Sequence, residues 1–170
     1  MGNCLTVNPI NEYLDIYNPI NKYLEIYNNV ECEERYKIGV PVYARVLNIY
    51  DGDTITVAIK EDKFFIKYNV RLYGIDAPEI NLQRKKNIAI TSRNRLIELI
   101  TEQKINVNIS KKDIIDLCKS KPFIVRLEMR GHDKYGRMLA DVYEYAGNVS
   151  FSSMLLKENL AYEYNGGKKL

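Results

Sequence analysis

The sequence contains no tryptophan, one histidine and only three cysteines in 170 residues. Cys4, Cys32 and Cys118 are an odd number without metal-type spacing, which argues for a reducing compartment and against a disulfide framework or a zinc site. No apolar run approaches the length needed to cross a bilayer, and no signal-peptide pattern opens the chain. The lone histidine, His132, precedes an acidic loop where a proton carrier could serve. Nothing but its position supports that role, and it is read as an incidental loop residue.

What is present is a soluble, globular composition, 46% hydrophobic and 28% charged, with length for one ordinary domain. Fourteen tyrosines offer stacking faces with a polar tip, suited to nucleic acid and equally to cores and interfaces. Charge is uneven along the chain. Residues 1–36 hold six acidic and two basic side chains, whereas residues 37–170 hold 16 acidic and 23 basic, a net +7. The basic part is the plausible contact surface for an anionic polymer, with a merely solvated surface as the alternative.

A ten-residue repeat comes first. Asn8 to Tyr17 and Asn18 to Tyr27 both read Asn-Pro-Ile-Asn-x-Tyr-Leu-x-Ile-Tyr. Each copy predicts a short helix, with Asn8 or Asn18 capping and Pro9 or Pro19 at the first helical position. Ile10, Tyr13, Leu14 and Tyr17 then share a face, as do Ile20, Tyr23, Leu24 and Tyr27. The pair either packs on the main domain or docks a partner. Residues 28–40 read as a linker, so the chain divides into a tail over 1–40 and a domain over 41–170.

Beyond the linker the period changes. Val42–Tyr50, Thr54–Lys60 and Phe64–Tyr73 are rich in β-branched and aromatic residues and predict strands. In the turn Asp51-Gly52-Asp53-Thr54, Gly52 is expected to supply a positive φ while the aspartates cap backbone amides. A helix is predicted over about Arg84–Thr101, with Ile88, Ile90, Leu96, Ile97 and Ile100 as its apolar positions. Strands are predicted at Ile105–Ile109, Phe123–Met129 and Met138–Tyr145, and the lysine-rich stretch Ser110–Lys121 reads as an insertion. Its lysines either extend a nucleic-acid groove or lie in a solvated loop. A last helix capped by Asn148 runs to about Glu158, and Leu160–Tyr164 closes the pattern. This order predicts an α+β fold, mainly β: a small barrel with attached helices.

Three acidic clusters and two arginines carry the chemistry: Asp51-Gly52-Asp53-Thr54, Arg71 with Asp76-Ala77-Pro78-Glu79, and Asp133-Lys134-Tyr135-Gly136-Arg137. Carboxylate and carbonyl oxygens suit a hard cation such as calcium, which screens a phosphate and orients water. A further carboxylate can deprotonate that water, and two guanidinium groups can hold the phosphate. Each segment alone is equally an ordinary turn, loop or ion pair; their order and combination are what point to phosphodiester hydrolysis.

These blocks resemble the signature segments of the staphylococcal nuclease-like family, and Leu156 to Tyr162 resembles its second helix and following strand. The resemblance runs from about Val42 to Tyr164. It implies a five-stranded OB-fold barrel with packed helices and calcium-dependent cleavage of DNA and RNA with little base preference, by attack at phosphorus that expels a 5′-oxygen. It also implies Asp53, Asp76 and the Ala77 carbonyl as calcium ligands, with Asp51 acting through water. Glu79 would be the general base, Arg71 and Arg137 the phosphate clamp, and Lys134, Tyr135, Tyr162 and Tyr164 nucleotide contacts. Alanine at position 77, often threonine in the family, keeps the carbonyl and loses a hydroxyl. The prototype has a further helix after the final strand; the amino-terminal helical pair is expected to cover the surface that helix would. A non-catalytic OB-fold module binding nucleic acid or peptide is the alternative, and the retained carboxylates and arginines favour the enzyme.

Met1-Gly2-Asn3-Cys4-Leu5-Thr6 fits N-myristoylation, with Gly2 exposed after methionine removal. One such chain holds a membrane only marginally, and the acidic segment that follows supplies no polybasic second signal. Palmitoylation of Cys4 is the expected partner, giving a nuclease anchored at the cytoplasmic face of a membrane. Intact mass of protein from a eukaryotic host should show acylation at Gly2; an unmodified mass removes the anchor.

Overall fold

The computed structural model describes residues 36–38, 40–78, 86–106 and 108–166, all within the unit Tyr36–Leu170. The tandem helical repeat, Gly2, Cys4 and Glu79 lie outside the described residues.

Three strands follow in succession: β1 (Pro41–Ile49), β2 (Thr54–Glu61) and β3 (Phe64–Leu72). Each sends alternate aliphatic side chains inward, as a half-buried strand must. In β1 these are Ala44, Val46 and then Ile49; a bulge between Val46 and Asn48 resets the alternation by one residue. Ile55, Val57 and Ile59 of β2 and Val70 and Leu72 of β3 complete that half of the core. The other half comes from β5 (Ile124–His132) and β6 (Met138–Glu144), through Val125, Leu127, Met129, Met138, Ala140 and Val142. The strand order β1-β2-β3-β6-β5 closes on itself, all neighbours being antiparallel except β3 and β6. This closed five-stranded barrel with helices on its surface is the OB-fold arrangement that the sequence led us to expect.

Two short strands, β4 (Ile75–Asp76) and β7 (Tyr162–Glu163), pair outside the barrel, Ile75 opposite Glu163 and Asp76 opposite Tyr162. Helix α1 (Lys86–Thr101) covers one end of the core with Ala89, Leu96, Ile97 and Ile100. Ile88, expected on that face, is exposed, and Ala89 takes the buried position.

Among the described residues, the strand predicted at Ile105–Ile109 does not form. Its backbone is taken up by side chains of α1: Glu98 accepts from the Ile105 amide at 2.9 Å, and Arg93 donates to the Ile109 carbonyl and to Asn108 Oδ1, each at 2.9 Å. Nor is Ser110–Lys121 a loop. Residues Lys111–Ser120 form helix α2, capped by Ser110, which accepts from the Asp113 amide. Ser110 and Asp113 are spaced as in a capping box. Ile114 and Cys118, four residues apart, are buried against the core, and lysines cover the outward face.

The last helix, α3 (Phe151–Lys157), is capped by Ser150 and not by Asn148. Phe151 and Leu155 anchor it in the core, and the Ser152 hydroxyl donates to the Tyr73 carbonyl at 2.9 Å, just beyond β3. Arg95 grips Glu158 with two hydrogen bonds of 2.8 Å, tying α1 to α3. At this exposure such a pair is worth about 0.5 kcal/mol.

Burial distinguishes a packed α2 from a solvated insertion. Ile114→Ala should lower stability by roughly 2–5 kcal/mol in urea denaturation, while Lys112→Ala should leave it within ~0.5 kcal/mol. Equal, negligible effects would mean α2 does not pack as described.

Candidate active site

The turn between β1 and β2 is built from its own side chains. Tyr50 donates its amide to the Thr54 carbonyl at 2.9 Å, and Asp51 Oδ1 accepts from the Asp53 amide at 3.0 Å. Gly52 lacks the positive φ expected of it. It is needed instead because α1 comes too close: a Cβ there would lie 2.0 Å from Ser92 Oγ and 2.8 Å from the Ala77 Cβ. A side chain at position 52 would push the turn off the helix.

At the same end of β3, Arg71 lies opposite Thr54. Its guanidinium donates from Nη1 to Asp53 Oδ1 and from Nη2 to Asp76 Oδ1, both at 2.7 Å, and from Nη2 to the Ile75 carbonyl at 3.2 Å. Asp53 and Arg71 are 2% and 6% exposed, so these charges are almost wholly withdrawn from water. Such burial is tolerable only with full pairing, and the pairing is dense. Asp53 Oδ1 also accepts from Thr54 Oγ1 at 2.8 Å, and Oδ2 accepts from the Ala77 amide at 2.9 Å. Burial works against the charged form of Arg71, and Asp53, Asp76 and Asp51 more than offset it. Burial, with Asp53 beside it, pushes the Asp51 carboxyl up to about 6.

Arg137 arrives from the β5–β6 hairpin. Asp133 shapes that turn, its Oδ1 accepting from the Tyr135 and Arg137 amides at 2.9 Å. Gly136 takes the left-handed conformation the turn requires, with φ +79°. Asp133 Oδ2 accepts from Arg137 Nε at 2.7 Å, and Arg137 Nη1 reaches Thr54 Oγ1 at 3.5 Å. Thr54 thus links the two arginines, through Asp53. Arg71, Asp133, Lys134, Tyr135, Arg137 and Tyr164 are among the residues lining an open cleft of about 740 Å³. Arg71 lies 5.7 Å from the Tyr164 ring, and Arg137 and Lys134 lie 5.8 and 5.1 Å from that of Tyr135.

Residues 69–169 match the family model described as staphylococcal nuclease homologue. The chain belongs to that family. It is also 34% identical over 120 residues to an uncharacterised endonuclease of Haemophilus influenzae, covering 71% of this chain and 51% of that protein. A 28% identity over 133 residues links it to an uncharacterised protein of Methanocaldococcus jannaschii, covering 72% and 59% respectively. The chain therefore spans between half and three-fifths of the length of these curated relatives.

Of the positions carried over from the staphylococcal nuclease resemblance, Asp51, Asp53, Arg71, Asp76 and Ala77 come together around one buried guanidinium. Arg137, Lys134, Tyr135 and Tyr164 line the adjoining cleft. Tyr162 sits in the small sheet opposite Asp76 and is not among the cleft-lining residues. His132 is exposed on β5 and likewise does not line the cleft. Thr54, Ser92 and Tyr73 had no role assigned from sequence. Thr54 bridges the arginines, Ser92 sets the glycine at 52, and Tyr73 forms part of the cleft wall. The signal for the first was Thr54's place in the Asp51-Gly52-Asp53-Thr54 segment.

Asp53 and Asp76 share one guanidinium, and Asp51 acts on it through space. Their hard oxygens are the donor type calcium takes, although among the described residues no three acidic, histidine or cysteine side chains are grouped so as to hold a metal ion.

With a chelator present, the Asp51 pKa has a measurable consequence. A folded-state value near 6 against 3.8 for the free carboxyl means the native state holds this proton more tightly. The stability Asp51 contributes is complete below about pH 4 and is lost as pH rises through about 6. Urea denaturation across that range should show wild type losing stability relative to Asp51→Asn. Parallel pH curves for the two proteins would contradict the assignment.

Proposed function

We propose that this chain is a calcium-dependent nuclease hydrolysing phosphodiester bonds of DNA or RNA with low sequence selectivity. The observation that carries this is Arg71, buried between Asp53 and Asp76 and lining the same cleft as Arg137. The name of the Haemophilus relative, an endonuclease, supports the same class.

In this reading Asp53, Asp76 and the Ala77 carbonyl hold calcium, and Asp51 supports it through water. The bound ion supplies charge neutralisation and a polarised water. Arg71 also lines the cleft, where a phosphate would meet its guanidinium. Arg71 and Arg137 then hold its non-bridging oxygens and stabilise the charge that gathers on them in the transition state. Glu79 removes a proton from the attacking water as the phosphorus–oxygen bond forms and the 5′-oxygen departs. Lys134 pairs with the backbone charge, and Tyr135 and Tyr164 offer faces to bases, which any base can use; Tyr162, outside the cleft lining, would reach a base only at its margin. Acylation at Gly2 and Cys4 would hold the enzyme at a cytoplasmic membrane face.

Plasmid DNA and single-stranded RNA should both be cleaved with calcium and spared with a chelator. Glu79→Gln and Arg71→Gln should each lower the rate by ~10² or more. No calcium-dependent cleavage by the wild-type chain would sink the reading.

A further inference from the structure

Far from the cleft, the β2–β3 hairpin outruns the barrel. Pairing between β1 and β2 reaches only to Ala44 opposite Ile59, and β6 joins β3 only from Val70 onward. The outer part, Lys60 to Phe65, is therefore laddered only to itself, with Lys60 opposite Phe65 and Glu61 opposite Phe64. Consecutive strand residues point to opposite faces. Phe64 and Phe65 thus stand on the two sides of a projecting ribbon, 71% and 69% exposed. A free hairpin end has no structural use for two phenylalanines in water, where each leaves a large apolar area wet.

Around them is a consistent setting. Tyr36 donates its hydroxyl to Glu61 and packs edge-on to Tyr68 at 5.8 Å, which brings the start of the unit to this end of the barrel. Ile38 and Val40, 63% and 51% exposed, follow it. Lys37, Lys60, Lys63 and Lys67 are exposed here, against the carboxylates Glu61 and Asp62, a net +2. Glu61 is half-buried and occupied by two tyrosine hydroxyls. Lysines of this kind lay their stems along apolar material and keep the ammonium in a polar, anionic layer.

We propose that this hairpin end is a membrane contact: Phe64 and Phe65 enter the interfacial region of an anionic bilayer, and the four lysines meet its headgroups. Ile38 and Val40, which follow Tyr36, add exposed apolar surface with no stacking face for a base, which favours lipid over nucleic acid. Thr54 and Arg71 lie seven residues along the strands from Glu61 and Phe64, about 23 Å at ~3.3 Å per residue. A domain resting on its hairpin would hold the cleft away from the lipid. That orientation rests on the nuclease reading; the contact itself does not.

The absence of tryptophan makes a direct test available. In the full chain carrying Gly2→Ala and Cys4→Ser, so that no acyl group contributes, Phe65→Trp places a single fluorophore at the tip. Phosphatidylcholine vesicles with roughly one phosphatidylserine in three lipids should shift its emission to the blue, and brominated lipid should quench it; phosphatidylcholine alone should do so weakly. On the same acyl-free background, Phe64→Ser with Phe65→Ser should lower vesicle affinity about tenfold or more. Unchanged thermal melting and solution cleavage of DNA would show that the fold and site are intact. The proposal is overturned if emission does not respond to vesicles, or if the serine pair sediments with them like its parent. It is equally overturned if the shift comes from single-stranded DNA or from protein concentration without lipid, pointing to stacking or a second copy. Vesicle binding by a chain that cleaves nothing would sink the nuclease reading alone.

Discussion

The buried guanidinium of Arg71 is the interaction on which the rest of this structure turns. It bridges carboxylates from two separate segments, Asp53 in the β1–β2 turn and Asp76 in β4, and also donates to the Ile75 carbonyl of β4. Charges this far from water are tolerable only when every partner is in place. The surroundings follow from that demand: Thr54 and the Ala77 amide complete Asp53, and the turn must lie close enough to α1 that only glycine fits at 52. The barrel's closure through β3 and β6 brings Arg137 to the same place from the far side.

That arrangement also separates two kinds of work. Asp53 and Asp76 pair with the Arg71 guanidinium and do not line the cleft, while Arg71, Arg137, Tyr135 and Tyr164 do. Negative charge that would repel a phosphate is thus offset locally by Arg71, and positive charge is displayed where a phosphate would arrive.

Much of this was legible in the sequence because strands with one buried face advertise themselves by alternation, and β1, β2, β3, β5 and β6 all do. The motif residues could be placed together because their order matched a known family's. What was not legible depended on contacts distant in sequence. Ile105–Ile109 has a strand-like composition, but its hydrogen bonds go to Glu98 and Arg93 on a helix that precedes it. Ser110–Lys121 looked like an insertion because lysines dominate it; the three-residue separation of Ser110 and Asp113, and the buried pair Ile114 and Cys118, were the weaker and truer signal. Gly52 was recognised as necessary for a wrong reason, since closeness to Ser92 cannot be seen in a turn motif.

The pairing of β4 with β7 has a consequence in time as well as in space. Asp76 is seated opposite Tyr162, and Tyr164 donates its amide to the Gly74 carbonyl at 2.9 Å, so one wall of the charged cluster waits on residues made more than eighty positions later. A chain emerging from the ribosome holds both carboxylates and Arg71 long before it holds the strand that fixes them. The charged centre is therefore completed only after all five barrel strands have been made.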